Sequence, residues 1–128
     1  IINALKIVGK RKISHAVFYA LRGIAVAFKA ERNLRIQGLA AAAAILLAVL
    51  LHISLLEWAL VLLCIGLVLS LEMINTRIEK LCDHLHPGRH PVIGFIKDVS
   101  AGAVLVVSIL SLVIGAIIFI PKFLHSFN

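Results

Sequence analysis

Acidic residues are scarce in this chain: six Asp and Glu against thirteen Lys and Arg, with only 15% of its 128 residues charged. It has just three prolines, two cysteines, one Trp, one Tyr and one Met. With 62% hydrophobic residues and so little charge, a soluble domain folded around one packed core is excluded. Two cysteines exclude a disulfide framework. On a continuous helix Cys64 and Cys82 stand about 27 Å apart, far beyond the reach of an S–S bond. Neither has the spacing of a metal pair, so both read as small packing residues. There is no strand-like alternation, no G-x-x-x-x-G-K-[ST] phosphate loop and no G-x-S-x-G elbow. Any nucleotide is therefore held by something other than a glycine-rich loop.

The chain does have three apolar stretches, and roughly 20 helical residues suffice to cross a hydrocarbon core of about 30 Å. They cover residues 36–53, 58–71 and 99–120, the second reaching spanning length if its helix runs on through Glu72 and Asn75 toward Glu79. Lipid offers the backbone no hydrogen-bond partners, so all three are expected to be helices. Eight of the thirteen basic residues precede the first stretch. Arg77, Lys80, Arg89 and Lys97 surround the connection between the second and third, and the connection between the first and second has none. This asymmetry is expected to place the N-terminus and the 84–96 loop in the cytoplasm. It also explains the formal charge of +7 without a nucleic-acid partner. Trp58, Phe119, Phe123 and Phe127 would form an outer aromatic belt. No short apolar core with a small-residue cleavage site follows the early basic residues, so no cleavable signal peptide is expected.

The expected organisation is one all-α membrane domain over residues 1–128. Residues 13–35 have apolar positions at Val17, Phe18, Leu21, Ile24 and Phe28, which is helical spacing, with Arg22, Lys29 and Arg32 on other faces. They read as an amphipathic helix on the inner leaflet, the alternative being an extension of the first span. Membrane helices are expected over 36–53, 57–83 and 98–121. Pro87, Gly88, Pro91 and Gly94 make 84–96 a turn-rich cytoplasmic loop, and the alanine run 40–44 points to close helix packing.

The candidate chemistry lies at the end of the second span. At about 100° per residue, Glu72, Asn75, Glu79 and Asp83 fall within an arc of about 80° on one helix face. Carboxylates so placed repel unless a cation, a proton or a basic partner compensates. Glu72 follows fourteen uncharged residues, and ionisable groups at membrane depth are functional candidates by default. One or two carboxylates plus substrate phosphates are the usual surroundings of Mg²⁺. A carboxylate as deep as Glu72 suits a general base acting on a weakly acidic hydroxyl. Lys97-Asp98 precede the third span, where the loop would return a phosphate-binding lysine to the Glu79 end. The structural alternatives are a solvated Asp83 and a Lys97 that snorkels to water.

Glu72-x-x-Asn75-x-x-x-Glu79-x-x-x-Asp83 followed by Lys97-Asp98, with Gly23-x7-Glu31-x3-Arg35 upstream, resembles the prokaryotic diacylglycerol kinase family from about Lys12 to Pro121. The resemblance implies a lipid kinase that moves the γ-phosphate of ATP to a membrane alcohol. It implies a homotrimer of three-span subunits, each with a surface helix, whose composite active sites lie between neighbouring chains. It assigns Glu72 as general base and Asn75 as its positioning partner, and Glu31 and Glu79 as Mg²⁺ ligands. It places Lys12 and Lys97 at nucleotide phosphates, and Asp83, Asp98 and Tyr19 in the nucleotide pocket. Residues 30–33, 52–58 and 118–122 look like Gram-positive members, which implies undecaprenol as acceptor, with diacylglycerol the alternative. Gln37 stands where an acid is usual, and Ala101 where some members have a small hydroxyl residue.

Two other readings compete. Intramembrane carboxylates also line cation or proton paths, which would make the chain a small oligomeric transporter; that reading gives Lys97-Asp98 no task. A non-catalytic assembly subunit leaves the acids unexplained. His84, His86 and His90 lack a cysteine or fourth ligand that would complete a structural zinc site.

Overall fold

The computed structural model describes residues 13–127. It is all-helical: α1 (Ile13–Ala30), α2 (Arg32–Leu50), α3 (Leu55–Leu85) and α4 (Pro91–Ser126). All four are long and apolar enough to cross a membrane. At 1.5 Å per residue, α3 and α4 are each more than about 45 Å long and outreach a hydrocarbon core. The chain divides into two compact units, Ile1–Arg35 and Ile36–Asn128.

In the N-terminal unit the helix expected over 13–35 is interrupted at Glu31, with α1 ending at Ala30 and α2 beginning at Arg32. The ladder hardly notices: the Glu31 N–H donates to the Ala27 carbonyl at 2.9 Å, and Arg35 N–H to the Glu31 carbonyl at 3.2 Å. The Arg35 guanidinium donates to the last carbonyls of α1, Phe28 at 3.0 Å and Lys29 at 2.6 Å. A helix end otherwise leaves such carbonyls unpaired, so Arg35 caps α1 from the following turn.

In the second unit α2 ends earlier than the expected 53. The Ile53 N–H reaches back to the Ala48 carbonyl at 3.3 Å and His52 N–H to Val49 at 3.4 Å. That pair of bonds is a Schellman ending, and its left-handed position is taken by His52 at φ 51°. Glycine usually sits there, because a side chain makes that backbone costly. Ser54 then caps α3: its Oγ accepts from the Glu57 N–H at 3.2 Å, and the Glu57 carboxylate accepts from the Ser54 N–H at 2.9 Å. Ile53 and Ala48 are buried with Val61 and Ile118, and Trp58, Ile65 and Phe119 pack around them. This apolar cluster closes the end of the unit at the α2–α3 turn. Trp58 and Phe119 are half-buried against it, and the rings of Phe123 and Phe127 meet edge to face at 4.9 Å.

The turn between α3 and α4 is shorter than the 84–96 loop the prolines and glycines imply. His90 is the N-cap, its Nδ1 accepting from the Val92 N–H at 3.2 Å, and Pro91 is the first helical residue. Proline is well suited to that position, where its missing N–H would have had no partner. At the other end Pro121 lies inside α4, which runs on to Ser126 rather than stopping at 121. α3 and α4 pack against each other along their length. Both thiols are free, Cys64 half-buried and Cys82 buried.

Candidate functional site

The continuous helix α3 carries Glu72, Asn75, Glu79 and Asp83 on one face as its periodicity requires. Glu72 and Asn75 are buried, at 7% and 8% exposure, in a chain whose other buried side chains are almost all apolar. Glu79 is half-buried and Asp83 exposed, so the stripe grades from dry to wet toward the end of the helix.

Two contacts from α4 hold this face. The Ser100 hydroxyl donates to Asn75 Oδ1 at 2.8 Å. With its oxygen so engaged, the Asn75 amide has its N–H₂ left to offer a second partner. Lys97 Nζ donates to Asp83 Oδ1 at 2.8 Å. Lys97 stands before the uncharged run that begins at Val99. Its pKa is held above the ordinary lysine range by the hydrogen bond to Asp83, and by the nearby charges of Asp83 and Glu79, against some desolvation. A cation fixed in this way stays charged throughout the neutral range and is placed to meet a polyanion.

Beside the pair, the α3–α4 turn forms a recess of about 540 Å³ lined by Asp83, His86, Arg89, His90 and Lys97 among others. The His86 and His90 rings meet edge to face at 5.0 Å, and His86 Nδ1 lies 3.0 Å from the Gly88 carbonyl. Among the described residues no three His, Cys, Asp or Glu side chains gather as a metal cage would. The donors available on this face are hard carboxylate oxygens, which fit a Mg²⁺ ion held by few protein ligands plus phosphate and water.

Asp98 is exposed on α4. Tyr19 and Glu31 belong to the N-terminal unit, Tyr19 exposed with its ring against Phe18 at 5.7 Å and Glu31 half-buried. Lys12 lies outside the described residues. Two further polar partners, Ser100 half-buried and Thr76 buried, do not stand out in the sequence. Ser100 lies three residues beyond Lys97 and hence on the same side of α4. Thr76 is buried beside Asn75, its hydroxyl turned back to donate to the Glu72 carbonyl at 3.0 Å.

A helix pair with buried carboxylate and amide, a charged lysine and a polar recess at one end holds the kinds of group that phosphoryl transfer at a membrane uses: a base, a cation for phosphate and hard oxygens for a metal. Residues 18–119 match the prokaryotic diacylglycerol kinase family. The chain belongs to that family and is a lipid kinase. It is 39% identical over 104 residues to a Bacillus subtilis protein named undecaprenol kinase, covering 81% of this chain and 85% of that one. A Synechocystis diacylglycerol kinase is 36% identical over 108 residues, 83% of this chain and 61% of its own length. The diacylglycerol kinase of Escherichia coli K12 is 27% identical over 110 residues, 86% of this chain and 90% of that one. Family membership implies ATP as phosphoryl donor and a membrane lipid as acceptor.

Proposed function

We propose that this chain is an ATP-dependent undecaprenol kinase. The observation that carries the reaction is the burial of Glu72 and Asn75 on the face of α3 that meets Lys97 and Ser100. The acceptor is favoured by the 39% identity to the Bacillus subtilis protein of that name.

In the reaction a bond forms between the alcohol oxygen and the γ-phosphorus, the β,γ-bridging P–O bond breaks, and ADP departs. Such transfers need positioning and charge neutralisation more than covalent help. Glu72 takes the hydroxyl proton. Asn75, fixed by Ser100, orients base and phosphate. Lys97, and Lys12 by resemblance, hold the phosphate oxygens, with Asp83, Asp98 and Tyr19 about the nucleotide. Glu79 is a half-buried carboxylate suited to Mg²⁺, and Glu31 is given the same role on the resemblance alone. Mg²⁺ bound there supplies charge neutralisation for the phosphates.

The active assembly we propose is a homotrimer with composite sites. Each subunit crosses the bilayer with α2, α3 and α4, and α1 lies on the inner leaflet. The N-terminus and the α3–α4 turn face the cytoplasm, where the basic residues concentrate. Purified protein in micelles with Mg-ATP, offered undecaprenol or diacylglycerol, is expected to label undecaprenol with the higher kcat/KM. Preference for diacylglycerol would reassign the acceptor while keeping the enzyme class.

A further inference from the structure

The ion pair between Lys97 and Asp83 joins α4 to α3, but its two partners are held unequally. The lysine side chain is 34% exposed and the carboxylate 64%. Lys97 is thus partly packed against its neighbours, whereas Asp83 is free to turn to water. An exposed pair of this kind contributes little, so opening it costs little.

Asp83 is also poorly placed for the helix that carries it. α3 ends at Leu85, so the carboxylate lies in the last turn, where the helix carbonyls favour a cation and disfavour an anion. It stands eleven residues beyond Glu72, about 16 Å along the axis, too far to act on the hydroxyl that the base serves. Its hydrogen-bond partner is Lys97, reached across fourteen residues of sequence. Neither the stability of α3 nor the proton transfer accounts for an acid here, and Lys97 does.

The pair lines the recess at the α3–α4 turn. Among the described residues in that lining Asp83 is the one acid, and Arg89 and Lys97 are the permanent cations. A phosphate entering the recess meets an ammonium that a carboxylate already occupies. The ammonium is a compact charge with three donors on a flexible stem, able to turn from one oxygen to another. Two anions on the same ammonium repel each other. The more highly charged phosphate takes the lysine, and the exposed carboxylate gives way.

We infer that Asp83 is a positioning residue that occupies Lys97 while the recess is empty and is displaced by the incoming phosphate, so that it competes with the nucleotide rather than holding it. This rests on the reading of Lys97 as a phosphate-binding residue and adds to it a residue that sets nucleotide affinity. The carboxylate keeps the lysine extended beside the recess and takes it back as ADP departs.

Asp83→Asn keeps the shape of the side chain and removes its charge. In full-length protein in micelles, at fixed ionic strength and without turnover, this variant is expected to bind Mg-ADP about three- to fivefold more tightly by equilibrium dialysis, the gain from removing a competing exposed pair. The KM for ATP should fall by a similar factor, and the KM for undecaprenol should stay within about twofold. Asp83→Glu, which keeps the competitor, should bind Mg-ADP within about twofold of wild type. Loss of fold weakens binding and cannot mimic the gain. Binding unchanged or weakened in Asp83→Asn, where Lys97→Ala also weakens it, would overturn the exchange and leave Lys97 as a phosphate ligand. Equal tightening by Asp83→Asn in a Lys97→Ala background would overturn it too, since the carboxylate would then act by repulsion alone. Binding unaffected by Lys97→Ala would overturn both the exchange and the reading on which it rests.

Discussion

The two ends of the α3–α4 pair carry the same kind of contact in opposite settings. At one end Lys97 meets Asp83 at 2.8 Å, and at the other Lys122 meets Glu57 at 3.3 Å. Beneath the Glu57 pair lie a capping box and an apolar cluster of Ala48, Ile53, Val61 and Ile118. Beneath the Lys97 pair lie Glu72, Asn75 and Thr76, the polar side chains buried among the described residues. An ion pair therefore says little by itself. Over an apolar cluster it finishes a joint, and over buried carboxylate and amide groups it marks the place where charge is to be handled.

Substitutions that treat the two ends alike would break this contrast. The largest effect is expected from Glu72→Gln, which removes the base: lipid phosphorylation should fall by about 10²–10⁴-fold, while nucleotide binding by equilibrium dialysis stays close to wild type. Turnover retained in that variant would show that the proton goes elsewhere. Next comes a matched pair. Lys97→Ala should raise the KM for ATP by about tenfold or more, whereas Lys122→Ala should leave both KM values within about twofold, since exposed ion pairs of this kind contribute little. Equal losses would erase the distinction between the ends.

A smaller change is expected from Ser100→Ala, which frees the Asn75 carboxamide to rotate. One lost neutral hydrogen bond of about 1 kcal/mol corresponds to a several-fold fall in kcat, with Ser100→Thr restoring most of it. Ser54→Ala is the smallest of these for catalysis. It should lower stability by about 1 kcal/mol through the lost cap, read from thermal unfolding in detergent, and leave kcat untouched. A fall in kcat there would mean that the α2–α3 turn is coupled to the chemistry.

The apolar runs and the acid spacing were legible from residue order alone, because a helix in lipid must satisfy its own backbone and its face is then set by simple periodicity. Glu72, Asn75, Glu79 and Asp83 share that face for no deeper reason. What the order of residues concealed were local choices between rival conformations. Pro91 and Gly94 look like loop residues, yet proline also opens helices, and His90 tips the balance by capping. Glu31 looks like a helical residue, and only Arg35 folding back onto Phe28 and Lys29 shows where α1 stops. Ser100 as the partner of Asn75 depends on the register of two helices far apart in sequence, which no periodicity fixes.

The reversal through His52 takes few residues between one long helix and the next, and they are spent on backbone bonds and a cap. Such a hairpin leaves no slack for an inserted epitope, a protease site or a docking antibody. A compound designed against this protein has little to grip at that turn, and would have to dissolve in the lipid or come from the opposite face.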